Sequence, residues 1–84
     1  MKQNIIPFKS SNEFFFKEQK GFKRNTCRKV ELTDRRFEDL HRIMTHGASP
    51  NDYIEISFVS NLKVNFKRKI KDVSYWEGIF IISW

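Results

Sequence analysis

The hydrophobic period of this chain changes once along its length, and that change constrains the fold more than any other feature. Phe37, Leu40, Ile43 and Met44 recur at helical spacing. After Gly47 and the loop Ala48-Ser49-Pro50-Asn51-Asp52, the period becomes two, with Ile54, Ile56 and Phe58 on one face of a strand over 53–59. A chain that carries both periods must cover a sheet with helices, so the expected class is α+β.

The remaining segments can be placed around that junction. Ile5-Ile6-Pro7-Phe8 reads as a first strand ended by proline. Ser10 and Glu13 have capping-box spacing before a short helix, Phe14 to Lys20, which Gly21 stops. Three consecutive Phe cannot share one helical face, so at least one should pack sideways or line a groove. Thr26–Leu32 reads as a strand, and Thr33 or Asp34 caps the second helix. Ser60-Asn61-Leu62 reads as a tight connection to a strand over 63–70, in which Val64 and Phe66 continue the apolar face. Tyr75 and Trp76 fall in a loop before Gly78, and Ile79–Trp84, apolar on both faces, reads as a central strand. About five short strands and two helices predict a curled mixed sheet or small barrel, one domain over 1–84.

Eighty-four residues give a small core, and nine Phe, two Tyr and two Trp supply large apolar area to fill it. With Cys27 the only cysteine, an internal disulfide and a multi-cysteine zinc site are both excluded. His41 and His46 stand five apart, which misses the spacing of a helical metal pair, so no metal and no cofactor are expected. No run reaches the roughly 20 apolar residues of a membrane span, and the first residues lack a signal-peptide core, so a cytoplasmic protein is expected.

Charge points to a partner. The net charge is +6. Lys17, Lys20, Lys23, Arg24, Arg28, Lys29, Arg35 and Arg36 form one cluster, and Lys63, Lys67, Arg68, Lys69 and Lys71 a second. Clustered cations attract polyanions by releasing counterions, although a solvated basic surface has the same composition.

Between the first helix and the second strand stands Gly21-Phe22-Lys23-Arg24-Asn25-Thr26-Cys27-Arg28. In an extended strand Thr26 and Arg28 share a face, and Lys23 can converge on it from the strand's edge. An ammonium, a hydroxyl and a guanidinium together suit a phosphate or an electron-rich base edge. The bland alternative pairs Arg28 with Glu31, Glu55 or Glu77.

The pattern G-x-K-x-x-T-x-R resembles the signature of the ASCH family, of PUA-like fold, and the order of elements around it is similar. The resemblance implies a cleft that binds RNA or modified nucleosides. One branch of that family hydrolyses acetylcytidine. By position it would use Lys23 and Thr26, but its glutamate has no counterpart here unless Glu55 or Glu77 serves.

The expected function is therefore a non-catalytic RNA- or nucleotide-binding module using Lys23, Thr26, Arg28 and Arg24, with Phe22, Tyr75 and Trp76 as stacking candidates. The rivals are a small phage-type or mobile-element module for an acidic protein partner and, less favoured, the amidohydrolase.

Overall fold

The computed structural model describes residues 3–21 and 23–84. The first strand, β1 (Asn4–Ser10), does not stop at Pro7 but runs through it. The reason lies in its pairing. β1 has one neighbour, the parallel strand β3 (Asp52–Phe58), and its other edge is open. The carbonyl of Pro7 accepts from Arg36 Nη1 at 2.8 Å on that open edge. The proline nitrogen points the same way, where the ladder needs no donor.

α1 (Asn12–Gln19) follows, with Ser11 at its N-cap but no side-chain cap bond. Ser10 stands one residue before that N-cap and its hydroxyl donates to Glu18 Oε1 at 2.9 Å; the Glu13 side chain of the expected capping box lies outside the described residues. Phe15 is fully buried while Phe16 is half exposed and leans on Phe58, as three consecutive Phe require. Gly21 then takes a φ of 81°, in the left-handed region, and turns the chain into β2 (Asn25–Lys29).

α2 (Arg35–His46) begins at Asp34, whose carboxylate accepts from Arg36 N at 2.9 Å. Its apolar stripe buries Leu40 and Ile43, and Phe37 meets Phe80 edge to face at 5.4 Å. Antiparallel β4 (Asn61–Lys69) returns on β3, so the first sheet has the order β1-β3-β4. Val59 and Ser60 make the turn, and Asn61 and Leu62 already belong to β4. Phe66 is buried as expected, but Val64 lies beyond the core and is 38% exposed.

The sixth strand is the departure from the sequence reading. Asp72–Trp76 forms β5, which pairs with β6 (Ile79–Ser83) around Glu77 and Gly78. Both turn residues have positive φ, 48° and 85°, as a two-residue hairpin loop demands. Glu-Gly is a weak form of that signal, and Val73 is the only buried residue of β5, so alternation could not reveal the strand. β6 lies between β2 and β5 as the central strand of an antiparallel sheet, as its sequence suggests.

The described residues thus form a small mixed α+β fold of two helices and six strands in two three-stranded sheets. Both sheets turn one face to the same cluster. Ile6, Phe8, Ile54 and Ile56 come from the first, Val73, Phe80 and Ile82 from the second, and Phe15, Leu40 and Ile43 from the helices. Asp52 ties these parts together, being 1% exposed and accepting from Arg42 Nη2 at 2.8 Å, Asn4 Nδ2 at 2.9 Å and Ser49 N at 2.9 Å. Burial alone would raise its pKa. The hydrogen bonds from Arg42, Asn4 and Ser49 outweigh that and hold the carboxyl well below the usual carboxylate range.

Candidate functional site

The open edge of β1 is covered by side chains rather than by another strand. Arg28, on β2, places its guanidinium against the end of β1. Nη1 donates to Lys9 O at 2.6 Å, Nη2 to Ser10 Oγ at 2.5 Å, and Nε back to Thr26 Oγ1 at 2.9 Å. Arg36, in the first turn of α2, donates to Pro7 O in the same row. Both guanidinium carbons sit over the Phe8 ring, at 5.2 Å for Arg28 and 4.5 Å for Arg36. Two arginines thus satisfy edge carbonyls that would otherwise invite strand addition, and they stitch β2 and α2 to β1.

A groove runs along this seam. One cavity of about 520 Å³ is lined by Pro7, Phe8, Lys9, Arg28, Lys29, Arg36 and Ser57, and carries no acid. A second, of about 410 Å³, is lined by Lys9, Ser10, Ser11, Glu18, Lys23, Thr26, Cys27 and Arg28. The two share Lys9 and Arg28, so they adjoin. Each is of the size that takes a small ligand.

Burial pushes the Arg28 pKa down. Glu18 opposes that shift and Arg36 adds to it. Arg36 shifts the other way, because hydrogen bonds to Asp34 favour its charged form. Asp34 in turn is lowered to about 2, chiefly by the side-chain hydrogen bond from Arg36. The groove therefore has a base of arginines already engaged with protein, and the exposed Lys9 and Lys29 at its rim.

The sequence-predicted residues divide. Lys23, Thr26 and Arg28 do meet in one cavity. Within it Thr26 is 2% exposed and its hydroxyl accepts from Arg28, so it positions the guanidinium rather than facing outward. Phe22 lies outside the described residues. Arg24 is exposed and joins a different basic cavity with Lys20, Arg68 and Lys71, where its carbonyl accepts from Trp84 N at 2.9 Å. Tyr75 and Trp76 are not in a loop beside the motif. They lie on β5, separated from β2 by the whole width of β6.

None of the acids weighed as partners for Arg28 occupies that role. Glu31 approaches Lys29 at 3.8 Å, Glu55 alternates with buried Ile54 and Ile56 and so faces away from the core, and Glu77 sits in the β5–β6 turn. The acid in the cavity is Glu18, fully buried on the last turn of α1. Lys9, Ser10, Glu18 and Arg36 were not legible as site residues. They reach the motif only because β1, α1 and α2 pack around it, and no spacing in the sequence records that.

Among the described residues, no group of three or more His, Cys, Asp or Glu could hold a metal, and no helix is long and apolar enough to cross a membrane. No protein-family model matches the chain, and no curated protein matches it.

Proposed function

We propose that the chain is a non-catalytic binding module of ASCH-like, PUA-like type, whose groove takes nucleotide units of single-stranded RNA. The observation that carries this reading is the adjoining pair of cavities on which Lys9, Lys23, Arg28, Lys29 and Arg36 converge. The acid-free cavity suits a phosphate, since ammonium and guanidinium groups supply charge-assisted donors and release counterions on contact. The neighbouring cavity has room for a sugar and base. Thr26 is buried with its hydroxyl engaged by Arg28, which supports a binding role over nucleophilic attack.

The test is fluorescence anisotropy with a short labelled RNA over a salt series, comparing the wild type with the Lys9→Ala/Lys29→Ala double variant. These two side chains are exposed at the rim, so folding should survive their loss. Each phosphate contact to a single strand contributes about 0.7 to the slope of log affinity against log salt, so the double variant should lose up to about 1.4. Affinity indifferent to salt, or unchanged in the double variant, overturns the reading. Displacement of the RNA by polyglutamate at equal charge would transfer the groove to the acidic-protein alternative.

A further inference from the structure

Cations also gather away from the groove. Beyond the end of α1, Lys20, Arg24, Arg68 and Lys71 line a separate cavity of about 260 Å³, with Trp84 buried beside them. The four come from four parts of the chain: the C-cap of α1, the residue before β2, β4, and the link between β4 and β5. No acid lines the space. Among the described residues none of the four makes an ion pair, whereas Lys29, Arg36 and Arg42 each meet a carboxylate. Arg68 is engaged by the protein itself. Its Nη2 donates to Gln19 O at 2.9 Å, at the end of α1, and its Nη1 to Lys67 O at 2.8 Å, with the guanidinium carbon 4.8 Å from the centre of the Phe66 ring. Lys20, Arg24 and Lys71 are exposed, and their side chains make no hydrogen bond among the described residues. Like charges brought together by folding repel one another, and an anion seated among them removes that cost.

This cavity stands in a defined relation to the groove. Lys23 lines the groove's second cavity, and Arg24, the next residue, lines this one. Arg28, which lines both cavities of the groove, follows four residues after Arg24, about 13 Å along an extended chain. The backbone of one nucleotide, about six bonds of about 1.5 Å each, reaches about 7 Å when stretched. Phosphates at the two places therefore belong to nucleotides about two apart on one strand.

We propose that the cavity of Lys20, Arg24, Arg68 and Lys71 is a second phosphate subsite for the strand held in the groove, so that the preferred ligand is an oligonucleotide and not a mononucleotide. The proposal rests on the reading of the groove as a nucleotide site. Lys20, Arg24 and Lys71 supply charge-assisted donors, and Arg68 holds the end of α1 beside them. Once one phosphate is bound, the second contact is intramolecular, which raises affinity without any further recognition. Contacts of this kind set register and length and carry no base preference.

Competition of UMP and of 5′-phosphorylated uridine di-, tetra- and hexanucleotides against a labelled RNA tests this. In the wild type, affinity should rise at least tenfold from UMP to the tetranucleotide. Lys20→Ala/Lys71→Ala removes two exposed side chains whose loss folding should survive. It should cancel most of that rise and change UMP binding by less than twofold. Its salt slope with the hexanucleotide should fall by up to about 1.4, at about 0.7 for each contact. Lys63→Ala/Lys67→Ala removes the same charge outside this cavity and the groove, and should cost the tetranucleotide less than threefold. Equal affinity of UMP and the tetranucleotide overturns the second subsite. So does an equal loss from these two double variants, because the effect would then be one of net charge alone. The groove reading survives either result. If Lys9→Ala/Lys29→Ala leaves UMP and RNA binding unchanged, the groove reading falls and the second subsite falls with it.

Discussion

Replacing Arg28 by alanine separates two views of the motif arginine. If Arg28 serves ligand alone, its loss should leave stability unchanged. The geometry says otherwise. Thr26 and Ser10 are 2% and 5% exposed, and each loses a donor that water cannot easily replace. At about 1 kcal/mol for each hydrogen bond, that is about 2 kcal/mol. The bond to Lys9 O is exposed, so water takes it over at little cost. Loss of the guanidinium over Phe8 adds about 0.5–1 kcal/mol, giving roughly 3 kcal/mol in total. A domain of this size has an overall stability of only about 4–13 kcal/mol, and a loss of 3 lowers its melting temperature by roughly 12–24 °C.

Circular dichroism melts of wild type, Arg28→Ala and Arg28→Lys at neutral pH give the comparison. Lysine keeps the charge but cannot donate along three directions in one plane, so it should rescue less than half of the loss. Thr26→Val combined with Arg28→Ala should show a coupling of about 1 kcal/mol. A melting temperature within about 3 °C of wild type for Arg28→Ala would refute the reasoning, because the seam between β1 and β2 would then not depend on this side chain.

Two further perturbations address the scaffold. Asp52 has a folded pKa below its ordinary value of 3.8, so its contribution is complete above that value and is lost as pH falls toward the folded pKa. Asp52→Ala should cost about 3 kcal/mol near neutrality and flatten the acid limb of a urea-stability profile. Part of the limb should remain between pH 3.8 and about 2, where Asp34 titrates. A profile as steep as wild type would assign the acid sensitivity elsewhere. Phe80→Ala removes a fully buried ring between Phe37 and Tyr75 and should cost about 3–5 kcal/mol in the same urea assay. A cost below about 1 kcal/mol would mean that β6 is not central to the core.

Much of the backbone was written locally. The stripe of α2, the alternation of β3, the stop at Gly21 and the apolar run of β6 each depend on side chains within a few residues of one another, and periodicity reports such relations directly. The same holds for Thr26 and Arg28, which share a face because a strand repeats every two residues, and their hydrogen bond at 2.9 Å follows from that spacing. Where local signals were weak, the reading missed. β5 has one inward apolar residue and a Glu-Gly turn, and it exists because β6 offers an edge. β1 crosses Pro7 because its parallel partner lies on the other side, which no residue near Pro7 announces.

The site shows the same division more sharply. The motif residues could be named from the sequence because they are neighbours in it. The carboxylate among them could not, because Glu18 reaches Ser10 only when α1 folds back on the end of β1, and Ser10 reaches Arg28 only when β1 lies beside β2. Tyr75 and Trp76, expected in a loop that could stack on the groove, were carried to the far strand of the second sheet by the pairing of β6. Local sequence thus determined most of the helices and strands, β5 and the length of β1 excepted, and which short-range side chains act together. Tertiary structure alone decided which edge stays open, which arginines close it and which acid they face, because those relations depend on loop closures that local propensity does not encode.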